Sequence, residues 1–310
     1  MSLTVLEATK LDTFNSFRLV AGHRGLDKIV EKVGILDWEF IKKIEEGPEN
    51  ISDFIEGEFV LSSLLFAKDK PELIIEAVKY LAESHVSGLA IKNIYYTELP
   101  DEVISYANEK SLPVFIFHTA YFEDIITETM DKIRSINNSN LLESKVDLLI
   151  NKNLNKTVIR DIALELNSSF KELFIVVYAK GKKQISESNI LNQVELIRKD
   201  RTFRQNDTII KYHDGLLFIA TFESLEPSLF TSKTKSLLRS LRIDSEEYFI
   251  GISNIHSSLG ELGMGINESL FAEKSGEMFK NQLNYFKDIG IFSVLIPSAG
   301  INGSETFMSR

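Results

Sequence analysis

EFVLSSLLFAKDKPELIIEAVKYLAESHVSGLAIKN, residues 58–93, decides the fold. Its first nine residues, EFVLSSLLF, form an apolar, strand-like run interrupted by two serines. Leu73, Ile74, Ala77, Val78 and Leu81 then repeat at the spacing of one helix face, and Pro71 suits a first-turn position. The stretch SGLAIKN is a short buried-type strand. Upstream, FRLVAG and VEKVGILD read as strands. Downstream, PDEVISYANEKS gives a helix opening at Pro100, and LPVFIFH gives another strand. Strand, helix, strand, helix, strand at this spacing predicts βαβ units and a parallel sheet with helices on its faces.

An open parallel sheet collects ligands beyond the carboxyl ends of its strands. The polar residues that follow the apolar runs are Asp37, Ser62, Ser63, Lys92, Asn93 and His118. A carboxylate, two hydroxyls, an amine, an amide and an imidazole at one edge form a candidate site for a small polar metabolite. Glu58, at the start of its strand, is expected at the opposite edge.

The remainder follows a different plan. From Tyr121, Phe122, Ile125, Ile126, Met130 and Ile133 keep a helical period. NNSN (residues 137–140) is expected to break or loosen it, and Leu142, Val146, Leu149 and Ile150 resume it. This predicts a two-piece helical connector over 122–155 whose apolar stripe packs on a partner subunit or on its own domains. After Asn155 come an amphipathic helix, the strand KELFIVVYA, a helix capped by Ser186, and the hairpin DTIIKYHDGLLFIATF. Another helix, the strand YFIGIS and a long helix with glycines near its start complete the order. The sequence β-α-β-β-α-β is that of a ferredoxin-like sheet. Asp214-Gly215 predicts the hairpin's two-residue turn, because both residues tolerate φ > 0.

Composition narrows the function classes. The 310 residues, 44% hydrophobic and 26% charged, suit a soluble protein of two domains. The absence of cysteine excludes disulfides and thiolate chemistry. No apolar run has the ~20 residues needed to cross a bilayer, and MSLTVLEATK lacks the features of a secretory signal. A cytoplasmic location without membrane contact is expected. The net charge of −10 opposes nonspecific binding to DNA phosphates. No P-loop, GxSxG elbow or HxxxH pair is present. Gly263-Met264-Gly265 lacks the strand-turn context of a dinucleotide site and is read as loosening a helix start or allowing close packing. No cofactor and no metal site are expected.

Two stretches carry a family resemblance. GHRGLDKIVEKVGILD (Gly22–Asp37), FIEGEFVLSSLLF (Phe54–Phe66), LAIKN and LPVFIFH resemble, in order and spacing, the N-terminal domain of the PucR (purine catabolism regulator) family. YFIGISNIHSSLGELGMGINESLFAEK followed by NYFKDIGIFSVL resembles the degenerate GGDEF-like domain of the same regulators. The resemblance implies a PucR-type sensory domain over 1–121, the connector over 122–155, a GGDEF-like domain over 156–297 and a disordered tail over 298–310. It also implies transcription regulation, a small-molecule effector of purine-related chemistry and a homodimer. DNA contact would go through a helix-turn-helix, for which the residues after Pro297 are too few.

An active nucleotide cyclase of the GGDEF type would place a glycine pair, an acidic pair and a phenylalanine at the hairpin. His213, Asp214, Gly215, Leu216 and Leu217 fall on those positions, so the metal-holding acids are replaced. A structural turn is expected, not a catalytic one. A cyclase or other ligand-processing enzyme, and a pure oligomerisation scaffold, are the alternative readings.

Overall fold

The computed structural model describes residues 2–37, 54–150 and 153–290. The chain divides into two compact units between Asn138 and Ser139, and each holds a five-stranded sheet. The fold is α/β. The tail expected over 298–310 and the closing residues 291–297 lie outside the described residues.

In the first unit, a one-turn helix α1 (Val5–Ala8) precedes β1 (Arg18–Ala21), β2 (Lys32–Ile35), β3 (Glu58–Ser62), α2 (Leu73–Glu83), β4 (Gly88–Lys92), α3 (Asp101–Glu109) and β5 (Val114–Phe117). The sheet order is β1-β5-β4-β3-β2. Strands β2 to β5 are parallel, as the spacing predicts. Strand β1 departs from that expectation and runs antiparallel to β5 at the edge, the usual place for such a strand in a parallel sheet. All five residues of β3 are buried, because both faces are covered. Ile74, Ala77, Val78 and Leu81 of α2 pack on one face with Val60, Leu89, Ile91 and Val114. The other face stacks phenylalanines: Phe14 and Phe17 lie against Phe59, Phe115 and Phe117.

The crossover helices end alike. His85 and Ser111 take left-handed φ of 55° and 52° just after α2 and α3. The next N–H, from Val86 or Leu112, bonds back to Leu81 or Ala107, and both apolar residues are then buried. This C-terminal stop normally favours glycine, so no glycine marks either helix end in the sequence.

Helix α4 (Phe122–Leu149) runs unbroken through residues 137–140, contrary to the two-piece connector. Asn and Ser each weaken a helix by well under 1 kcal/mol, and buried residues hold both ends of this one. Ile125, Ile133 and Ile136 are buried in its first part, Val146 and Leu149 in its last. Glu128 also accepts N–H bonds from Asp12 and Thr13.

The second unit continues with α5 (Lys156–Leu166), β6 (Leu173–Gly181), α6 (Glu187–Lys199), β7 (Asp207–Tyr212), β8 (Gly215–Phe222), α7 (Phe230–Ser240), β9 (Tyr248–Ile252), α8 (Leu262–Phe279) and β10 (Leu283–Tyr285). The Ser186 side chain caps α6 through the Asn189 N–H. The strand order β9-β6-β8-β7 is the interleaved order of a β-α-β-β-α-β sheet, with β10 added in parallel beside β9.

The hairpin turn differs from its sequence reading. Tyr212 pairs with Gly215, so the two-residue loop is His213-Asp214, not Asp214-Gly215. His213 carries the positive φ, 48°. Gly215 is required for a different reason: a Cβ there would meet the Ala179 carbonyl and the Tyr178 hydroxyl. The glycines of α8 do pack closely, as read. A Cβ on Gly263 would collide with the Leu149 carbonyl of α4, and one on Gly265 would press on the Phe174 ring. Backbone cannot yield as a flexible side chain can. Gly263→Ala is therefore expected to destabilise the second unit by about 2 kcal/mol or more, measured as a lowered urea midpoint. An unchanged midpoint would contradict this packing.

Candidate functional site

The parallel order of β2 to β5 brings all six candidate residues to one edge of the first sheet. From β5 to β2 they read His118, then Lys92 and Asn93, then Ser62 and Ser63, then Asp37. Glu58 lies at the other end of β3. It is buried there and paired with Lys32 at 3.4 Å, with its carboxylate filling the space left by Gly34.

The six do not form one cluster. On the β2–β3 side, the Asp37 carboxylate is saturated from within. Ser62 Oγ donates to Oδ1 at 2.7 Å, Ser63 Oγ donates to Oδ2 at 2.7 Å, and the Ser63 N–H is shared between both oxygens. Ser62 Oγ in turn accepts the Leu64 N–H at 2.9 Å. Leu64 is fully buried with φ of 56°, a left-handed conformation that costs a side-chain-bearing residue about 1 kcal/mol. The network holds this strained turn in place.

The β4–β5 side is open. Among the described residues, Lys92 has no carboxylate within ion-pair distance. Its ammonium lies 4.8 Å from the centroid of the Tyr121 ring and 5.9 Å from that of Phe122. The Asn93 N–H bonds to the Phe117 carbonyl, while its side-chain amide and the exposed His118 ring have no partner among the described residues. Lys68, in the loop after β3, similarly lies over Tyr95. Sequence reasoning missed Tyr95 and Tyr121, whose only signal is an aromatic residue shortly after a strand end.

The hairpin of the second unit is polar and tethered. Asp214 accepts from the Tyr178 hydroxyl at 3.2 Å and lies 3.5 Å from Lys180. The His213 N–H donates to Glu143 of α4 at 2.7 Å, and Tyr212 donates its hydroxyl proton to Asp147. Lys211, only 9% exposed, is clamped between Glu143 and Glu187 at 2.7 and 2.8 Å. Burial alone would lower its pKa, but those two carboxylates raise it. Among the described residues, no group of three or more His, Asp or Glu side chains is arranged to hold a metal ion.

Two more ionisable groups are buried in this unit. Glu273 of α8 is 5% exposed, and its Oε1 has no hydrogen-bond partner among the described residues. Burial, then the charge of Glu277, pushes its carboxyl up to about 8. Its sequence signal is an acid on the buried face of a helix. His256 stacks on Phe174 and lies 3.0 Å from Glu268 and 3.4 Å from Glu261. Burial alone would lower its pKa, but the two carboxylates raise it.

Residues 7–133 match the family model described as the Purine catabolism regulatory protein-like family. Over 144 residues the chain is 23% identical to the Purine catabolism regulatory protein of Bacillus subtilis (strain 168). That match covers 46% of this chain and 25% of the Bacillus protein, so it spans about a quarter of that relative's length. Among the described residues, no helix is long and apolar enough to cross a membrane.

The two buried groups make stability depend on pH in the same direction. Glu273 stays protonated in the folded unit while its unfolded counterpart ionises near 4.5, so its contribution is lost as pH rises from there to about 8. The contribution of His256 is complete below 6.5 and is lost as pH rises through its higher folded value. The melting temperature of the second unit is therefore expected to fall from about pH 5 to about pH 8.5. Glu273→Gln is expected to flatten that fall and raise the melting temperature at the alkaline end. A variant profile that overlays the wild type would refute the assignment to Glu273.

Proposed function

We propose that this chain is the ligand-sensing and oligomerising part of a PucR-type transcription regulator. The observation that carries the reading is the match of residues 7–133 to the PucR family, a stretch that contains the whole candidate edge. The Bacillus relative is by name a regulator of purine catabolism, which supports a regulatory role and an effector of purine-related chemistry. The open side of the edge supports small-molecule binding in an α/β sheet of this kind.

In this reading the second unit is a GGDEF-like module without cyclase chemistry. Gly215 and Leu216 stand where the acidic pair would, and Asp214 is engaged by Tyr178 and Lys180. Leu141 and Leu148, seven residues apart on α4, are 56% and 52% exposed, which supports packing of that helix on a second copy of the chain. The net charge of −10 supports a reading in which DNA contact belongs to a module other than these two units, such as the helix-turn-helix of PucR-type regulators.

The effector acts by binding two states of the regulator with different affinity, since equal affinity shifts nothing. A thermal-shift screen of purines, their ring-opened breakdown products and other small acids tests sensing. One of these is expected to raise the melting temperature, and light scattering is expected to give twice the chain mass. Turnover of GTP with magnesium, or a flat screen with a monomeric mass, would overturn the reading.

A further inference from the structure

The charge of the effector is written in the difference between the two halves of the edge. Resting on the sensing role just proposed, we propose that the effector is a small organic anion, and that Lys92 on the β4–β5 side is its counter-charge.

The argument is one of supply. Asp37 is the only carboxylate among the six edge residues. Its oxygens are filled by Ser62 and Ser63, and it is 8% exposed. A cationic or amine ligand would have to strip a buried carboxylate of its hydrogen bonds and release the strained turn at Leu64. The hydroxyls are equally committed, since both donate to Asp37.

The uncommitted groups are an ammonium, a side-chain amide and an imidazole: Lys92, Asn93 and His118. Lys92 is held by aromatic rings, not by an acid. Such a contact positions an ammonium at a surface for about 0.5–1 kcal/mol without neutralising it. Glu123 and Asp124, in the first turn of α4, form no ion pair with Lys92 among the described residues.

Lys68 is another cation among the described residues after these strands, but it is less suited. Asp69 and Glu72 follow it within four residues, so carboxylates stand beside it in the sequence. On the β4–β5 side the ammonium is unbalanced. Asn93 follows Lys92 and His118 follows its β5 partner Phe117, so both come to the same strand ends as polar groups for the ligand's remaining atoms. Lys92 is a binding residue, and Tyr121 is a positioning residue that acts through it.

Three probes of matched shape separate the possibilities: benzoate, benzamide and benzylammonium, each titrated into the 310-residue protein and followed by amide chemical shifts. Benzoate is expected to move the amides of Asn93, His118 and Tyr121, with affinity about tenfold above that of the other two. The preference is expected to weaken at about 0.5 M salt. Lys92→Met is expected to remove it, Lys92→Arg to keep it, and Asp37→Asn to leave it unchanged. Lys92→Met sits at an open edge, and its melting temperature verifies that it folds.

Equal or better binding of benzamide or benzylammonium at these amides would overturn the anion assignment and leave the sensing edge standing. Benzoate binding that survives Lys92→Met would overturn the role of Lys92. No response of these amides to any of the three would overturn both the anion assignment and the sensing edge.

Discussion

Parallel strands cannot be joined by tight turns. Each return needs a crossover of a dozen or more residues, and in the first unit α2 and α3 supply two of them. The geometric consequence is that every loop leaving the carboxyl end of β2 to β5 opens at one edge. Residues as distant in sequence as Asp37 and His118 come to the same edge there, three strand positions apart. The same constraint buries β3 on both faces and explains its continuous apolar run. It also explains why chemistry gathers at one end of the sheet while Glu58 and Lys32, at the other end, only tie two strands together.

In the second unit, buried charge does the corresponding work. Lys211 brings an ammonium into a nearly closed position, where an unpaired charge would cost several kcal/mol. It is tolerated because Glu143 of α4 and Glu187 of α6 both reach it. Glu143 also takes the His213 N–H, and Asp147 takes the Tyr212 hydroxyl, so the outer strand and the hairpin tip share one helix as their anchor. His256 plays a similar part between β6 and α8. Glu273 is the exception: among the described residues its Oε1 has no hydrogen-bond partner, and burial favours its neutral form.

The βαβ plan was legible because apolar periodicity reports burial, and burial is what a parallel sheet imposes. The antiparallel direction of β1 was not, because strand direction leaves no trace in a four-residue pattern. Residues 137–140 misled because Asn and Ser favour turns locally, while packing at the two ends of α4 outweighs that preference. The hairpin was legible but its loop was off by one residue, since the glycine signals close packing on Tyr178 instead of the turn. At the candidate site the position of each residue was readable from strand ends. Which of them are committed was not, because the partners of Asp37 lie 25 and 26 residues away in sequence and only side-chain geometry pairs them.

The space in front of Gly215 has a further meaning. The Tyr178 hydroxyl and the Ala179 carbonyl occupy the volume that any side chain at 215 would need. A carboxylate cannot be placed at that position by a single substitution, however favourable the chemistry. Tyr178 would have to change at the same time, and with it the hydrogen bond that secures Asp214. Position 215 is thus closed to an acidic side chain by shape, and what it can hold depends on the residue at 178.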